Sequence, residues 1–279
     1  MSILSKLLAV IVAVSLMQCN FNWDANKVSG EGPVVTKNLE INDFTAIEVS
    51  NGWNVELISG QPKQMVVKAN KNLIDILEVK SSNGVLSIGA EDNIGKADSK
   101  LIKVYFDNKL QSIEASSASD ISAKEQFVFE STSIYASSAA DIKLNIKADE
   151  LDVKGSSGAD IELIANSNNL RIDSSSSADI NVEGENKILN ASASSGAEIE
   201  LSGISKNVEL EATSGSDIDA KDMEAKNVKA KASSGASIDC YPIDQLEAEA
   251  SSGAGIRYHN NPSKSVTSKS SSGGSIKKD

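Results

Sequence analysis

The sequence predicts an all-β protein: a single-stranded parallel β-helix, or β-solenoid, with coils of about 19–20 residues and an N-terminal capping strand region. Three observations predict it. An isoleucine that closes a small-residue phrase recurs at Ile121, Ile142, Ile161, Ile180, Ile199, Ile218, Ile238, Ile256 and Ile276, at spacings of 21, 19, 19, 19, 19, 20, 18 and 20 residues. A fixed period of this length marks stacked repeats. Within one period, Leu151, Val153, Gly155, Ser157, Ala159, Ile161 and Leu163 share one parity and are apolar or small, while the residues between them are mostly polar. Strict alternation is an extended strand with one buried face, not a helix of period 3.6. Each run then ends in turn chemistry such as Asn166-Ser167-Asn168-Asn169 or Gly184-Glu185-Asn186.

A lone strand of this kind has nowhere to bury its apolar face, and stacking equivalent coils supplies the missing partner. A 19-residue coil has a contour of roughly 60 Å, and nine coils at about 4.8 Å apiece stand about 43 Å tall. Inward positions run large, small, small, small, large, so the Ser-Ser-Gly-Ala phrase reads as a corner. By parity, Ser157 and its equivalents from Ser117 to Ser272 point inward, as a ladder of hydroxyls that donate and accept in turn.

Taken in order, residues 1–18 read as a signal peptide. Lys6 gives a positive start, and the largely apolar 11-residue run 7–17, interrupted at Ser15, is too short to span a bilayer. Leu16-Met17-Gln18-Cys19 resembles a bacterial lipobox, which makes Cys19 the lipidation site, although Gln18 stands where a small residue is usual. Residues 19–38 are polar and read as a flexible tether carrying the anchor. Residues 39–111 are expected to hold a degenerate first coil and capping strands. Ile47, Val49, Trp53, Val55 and Leu57 alternate around the corner Ser50-Asn51-Gly52. Strands are expected at residues 65–69, 76–80, 85–89 and 101–107, some paired as hairpins, because an open solenoid end needs a cap. The regular coils fill residues 112–279, and the charged Lys277-Lys278-Asp279 discourages edge stacking.

The lipoprotein-like start, the entry stretch Phe44-Thr45-Ala46-Ile47-Glu48-Val49-Ser50-Asn51-Gly52-Trp53-Asn54-Val55 and the Ser-Gly-Ala-Asp-Ile phrases resemble the DUF2807 family, described as a putative auto-transporter adhesin, head GIN domain. The resemblance covers roughly residues 39–260. It implies an exported, envelope-associated β-solenoid with a binding role, and it brings no catalytic residues.

Composition narrows the partners. The net charge is −12 and aromatic residues make up 4%. An acidic surface disfavours nucleic acid and anionic lipid heads. Few aromatics disfavour a sugar-stacking cleft, with Trp53, Tyr135, Tyr241 and Tyr258 as the available platforms. With Cys19 lipidated, Cys240 is left as a single buried thiol.

The main site candidate is an outward acidic column, Asp120, Asp141, Asp160, Asp179, Glu198 and Asp217, replaced at the last coils by Ser237, Gly255 and Ser275. Carboxylates about 4.8 Å apart repel by roughly 0.9 kcal/mol in water. Two readings stay open. A row of Ca²⁺ ions could offset the repulsion, since hard cations take oxygen ligands. Alternatively, each carboxylate accepts a backbone hydrogen bond at the corner while water and lysines screen the column. No other cofactor is expected.

An enzyme is not expected. A serine nucleophile needs an oriented base. The sole histidine, His259, precedes the turn-like Asn260-Asn261-Pro262 and reads as solvated, and Arg171 and Arg257 are the only arginines. A polysaccharide-active enzyme on the acidic column is the remote alternative, and the outward Thr ladders of an ice-binding solenoid are absent. The sequence thus reads as a bacterial-envelope lipoprotein of the outer membrane, held by its lipid, with a protein or polysaccharide ligand. A periplasm-facing structural or signalling role is the alternative.

Overall fold

The computed structural model describes residues 27–60, 62–107 and 109–279. Strands occupy 69% of the chain and form a β-solenoid of about nine turns, stacked in parallel. In chain order the elements are β1 (Lys27–Val28), β2 (Val34–Glu40), β3 (Ala46–Val49), β4 (Asn54–Ser59), β5 (Gln64–Asn70), α1 (Lys71–Asp75), β6 (Leu77–Ser82), β7 (Val85–Ala90), β8 (Asn93–Ile94), β9 (Lys100–Phe106) and β10 (Ser112–Ala115). The long strands of the regular coils follow: β11 (Asp120–Ala136), β12 (Asp141–Gly155), β13 (Asp160–Ser174), β14 (Asp179–Ala193), β15 (Glu198–Ala212), β16 (Asp217–Ala232) and β17 (Ser237–Ala250). The last coils are closed by β18 (Gly255–Tyr258), β19 (Ser265–Ser270) and β20 (Ser275–Lys278).

In the regular coils each residue pairs in parallel with the residue one period on. Asp141 faces Asp160, Ile142 faces Ile161 and Leu151 faces Leu170. Identical side chains therefore stack into columns, and Ile142, Ile161, Ile180, Ile199 and Ile218 are all at most 1% exposed. Departures from the period are bulges. The 21-residue first spacing places a register shift between Ser122 and Gln126, and the 20-residue spacing after Ile218 places shifts in β16.

The corner corrects the inward serine ladder. Ser157 and Gly158 have φ of 55° and 68°, and Ala159 N–H donates to Ser156 C=O at 3.3 Å. Two consecutive positive φ values make a tight left-handed turn of the hairpin type. Such a turn swings the Ser157 side chain out, and Ser157 is exposed. Parity counts residues as if the backbone stayed extended, so it assigned Ser157 to the wrong face. Backbone groups hold the corner stack instead, with Gly158 N–H donating to Ser176 C=O at 3.1 Å. Gly155 lies inward beneath the turn, where an added Cβ would sit 3.1 Å from Ile180 Cδ1. Serines do point inward at other corner positions: Ser119, Ser174 and Ser216 are buried, and the Ser174 hydroxyl donates to Ala178 C=O at 2.8 Å.

The N-terminal region enters the stack out of order. The β3–β4 coil turns through Asn51 and Gly52, at φ 63° and 86°, as its Ser50-Asn51-Gly52 corner predicts. Its neighbours on one side are β7 and β9 and on the other β10 and β11. The coil built from β7 and β9 is thus the outer one, although it comes later in the chain. Trp53 fills the corner fully buried and donates its Nε1–H to Gly89 C=O at 2.9 Å.

The expected strands fall within one or two residues of β5, β6, β7 and β9, and β6 and β7 form an antiparallel hairpin. Helix α1 was not expected, because it begins within Asn70-Lys71-Asn72, which reads as a turn. The tether is also corrected. Its described part, residues 27–38, carries β1, paired with β8, and most of β2, paired antiparallel with β5. Cys19 and the segment around it lie outside the described residues.

Candidate functional site: the acidic ladder

The acidic residues expected to align do align. Asp120 pairs in register with Asp141, Asp141 with Asp160, Asp160 with Asp179, Asp179 with Glu198, Glu198 with Asp217 and Asp217 with Ser237. The residue after each left-handed pair in these coils, such as Ala159, is buried, so the next one, which opens the strand, faces outward. Backbone bonds such as Asp179 N–H to Ala159 C=O, 2.9 Å, fix the spacing.

A second column runs beside the first, with Lys143, Glu162, Asn181, Glu200 and Asp219 in register. Lys143 Nζ bonds Glu162 at 2.6 Å, and Asn181 Nδ2 donates to Glu200 at 3.1 Å. Between the columns lies a shallow groove of about 320 Å³ lined by Asp160, Glu162, Asp179, Glu198 and Glu200. Among the described residues no backbone N–H donates to the ladder carboxylates. Ser237 donates to Asp217 at 2.7 Å, and Asp120 lies near enough for its charge to act on Asp141. Backbone capping at the corner therefore does not offset the repulsion.

The electrostatic consequence is visible in three members. Partial burial, then the Asp120 charge, raises the pKa of Asp141. Burial, then Asp141 and Asp179, raises that of Asp160, and burial, then Asp179 and Asp217, raises that of Glu198. These carboxyls hold protons more tightly in the folded chain than in the unfolded one, so stability falls as pH rises through the window above their unfolded values of about 3.9–4.3. Glu56 acts oppositely, because its bonds to Lys124 and Lys103 lower its pKa, and its contribution is lost on acidification. We expect Asp160→Asn/Glu198→Gln to melt higher than the parent at pH 7, with the difference shrinking as pH approaches 4. Thermal melts across pH 4–8 check this; an unchanged or lower melting temperature at pH 7 would show that the ladder is not under strain.

Among the described residues no three His, Cys, Asp or Glu side chains converge as a metal cage. The ladder offers one carboxylate per coil, so a cation on it would bridge neighbouring coils rather than sit in a chelate.

His259 is not the solvated turn residue its sequence neighbours suggest. Its Nε2 lies 2.8 Å from Asp239 Oδ1 and its Nδ1 lies 3.3 Å from Asp279 Oδ2. Asp239 is buried and also accepts from Arg257 Nη2 at 3.0 Å. These partners tie the last coils together and include no serine nucleophile. Cys240 is 1% exposed, and burial pushes its thiol pKa up to about 12. Of the aromatic platforms, Tyr135 is the exposed one at 39%. It lines a 420 Å³ groove with Glu48, Glu78 and Glu114 under the β6–β7 hairpin, a site that only the order of stacking reveals.

No curated protein matches the chain. Among solved structures, a putative adhesin from Parabacteroides merdae superposes with a TM-score of 0.71 at 21% identity, covering 91% of this chain and 100% of that one. A putative lipid binding protein from Parabacteroides distasonis gives 0.69 at 19%, covering 91% and 99%. A putative adhesin from Parabacteroides distasonis gives 0.69 at 16%, covering 91% and 100%. At these identities the likeness establishes a shared fold. The sequence itself matches DUF2807, putative auto-transporter adhesin, head GIN domain, over residues 43–184 and 164–262. With most of the chain inside those two segments, this protein belongs to the DUF2807 family.

Proposed function

We propose that this chain is a lipid-anchored, non-catalytic binding protein of the bacterial outer membrane, acting as an adhesin through the side of its solenoid. The observation that supports the reading most is the uncompensated acidic ladder on a rigid parallel stack. A repeated electrostatic cost at outward positions, where folding makes no demand for acids, fits selection for a ligand. The family description points to an envelope or surface protein, and Cys19 after its apolar run supplies the anchor in this reading. Stable attachment takes more than one acyl chain, since each buried methylene contributes about 0.8 kcal/mol. No helix among the described residues is long and apolar enough to cross a membrane.

Protease shaving of intact cells, probed with an antibody to residues 112–279, tests the display. Loss of the signal from intact cells, with a periplasmic marker preserved, is expected. Protection in intact cells and digestion after lysis would sink the adhesin reading and favour a periplasm-facing partner. In parallel, Cys19→Ala should abolish incorporation of labelled fatty acid and release the chain from membranes.

A further inference from the structure

At the bend roughly midway round the coil from the serine corner runs a groove of about 720 Å³. From the residues on its walls we infer that it binds a linear acidic polysaccharide along the solenoid axis. This rests on the binding role proposed above and names a ligand class for it, at a site separate from the acidic ladder.

Lys187, Lys206 and Lys226 line the groove in three successive coils. The register flanking them, Asn186 with Ser205 and Ile188 with Asn207, then Ser205 with Ala225 and Asn207 with Asn227, stacks them directly. Lys147 lines the same groove nearer the N-terminal end. Among the described residues none of the four makes an ion pair within contact distance, whereas Lys103, Lys124, Lys143 and Lys229 each do. On a chain of net charge −12 carboxylate partners are plentiful, yet none of those described touches the stack, Asp244 acting on Lys226 only at longer range, and three stacked lysines repel each other. The fold does not require lysine here, because Asp149 and Asn168 hold the equivalent positions in the two preceding coils.

The two acids on the groove do not neutralise it. Asp149 and Glu185 stand against Lys147, Lys187, Lys206 and Lys226 on its walls, so the groove keeps a net positive charge. At the floor, Asn186 is 6% exposed. Its Oδ1 accepts from Ser167 at 2.6 Å, which ties the floor to the preceding coil and leaves the lysines above as the groups that face a ligand. Ile204, 54% exposed, offers the groove one apolar surface.

Cations repeating every coil call for anionic groups in steps of about 4.8 Å or a multiple of it along one line. A carboxylated or sulfated glycan carries them together with hydroxyls for the amides and C–H faces for Ile204. No aromatic residue lines the groove to stack a base. A narrow groove on an acidic body also disfavours a flat anionic bilayer.

The test is binding of the full chain to polygalacturonate and to dextran sulfate, with neutral dextran as the reference. The expected result is binding to at least one anionic polymer, weakening linearly in log–log fashion with salt. Lys187→Glu/Lys206→Glu should lose roughly tenfold or more per charge-assisted contact. Lys277→Glu/Lys278→Glu, the same charge change elsewhere, should bind like the parent, and thermal melts confirm that both variants fold. Should neither polymer outdo neutral dextran, or should Lys187→Glu/Lys206→Glu bind unchanged, the inference is wrong. Binding to phosphatidylglycerol vesicles without polymer binding overturns it in favour of a lipid surface. The assay uses purified protein, so its failure leaves the shaving result standing, and a periplasmic location leaves the polymer result standing.

Discussion

Alanine at Gly184 or at Gly203 is expected to destabilise the fold by about 3–5 kcal/mol, through lost ladder hydrogen bonds and backbone strain together. Gly184 has φ of 155°, and a Cβ there would lie 2.1 Å from the carbonyl oxygen of Ala165. Gly203 has φ of 111°, and its Cβ would lie 2.1 Å from the carbonyl oxygen of Gly184. The two pair with each other in register, so the backbones of three coils lie close together at this bend. The obstacle is main chain, which cannot turn aside as a flexible side chain can. Relief requires the coils to separate, and separation breaks the parallel hydrogen bonds on either side. Gly158→Ala is the internal control. Its Cβ would meet nothing within 4 Å, and its φ of 68° resembles the 58° at Ala139 in the preceding corner. Left-handed backbone alone costs an L-residue about 1–2 kcal/mol, so Gly158→Ala should cost no more than that. Urea midpoints of the three variants measure the ordering. Equal midpoints for Gly184→Ala and Gly158→Ala would show that the bend relaxes freely.

That contrast also marks what the sequence could and could not convey. The recurring isoleucine makes the coil legible, because in-register parallel stacking converts a sequence period directly into a spatial column. The same logic made the Asp120-to-Asp217 ladder visible as a list of positions. The lysine column was equally available, at the 19- and 20-residue spacings of Lys187, Lys206 and Lys226, but it lies at a bend where β-parity is silent. Parity failed at Ser157 for a related reason: alternation presumes negative φ, and two left-handed residues leave the count intact while reversing a side chain. The interleaved β3–β4 coil was out of reach because its neighbours are set by closure of the N-terminal end, not by chain order. His259 was misread because turn chemistry describes the backbone at Asn260-Asn261-Pro262, whereas the partners of the ring arrive from Asp239, one coil earlier, and from Asp279, one coil later.

At the N-terminal end the decisive contacts are aromatic and long-range, and they yield the second large expected effect. Phe127→Ala should cost about 3–5 kcal/mol. Phe127 is fully buried and sits edge-on to Phe106, with ring centroids 5.3 Å apart. It also contacts Phe129 at 5.9 Å, while Phe106 contacts Phe44 at 6.2 Å. These rings come from β9, β11 and the chain just before β3. They replace the Ile and Ala columns at the point where the out-of-order coils meet the regular ones. The bulge beside them adds polar ties, with Lys124 bonding Glu56 at 3.0 Å and Ser59 N–H donating to Glu125. A solenoid couples mainly nearest neighbours, so removal of the Phe127 ring should act locally. Hydrogen exchange should accelerate in β2, β5 and β9 and stay near the parent's rates in β13–β16, because those coils keep every neighbour they had. Uniform acceleration through β16 would mean instead that the stack unfolds as one cooperative unit, with the aromatic junction supporting coils it never touches.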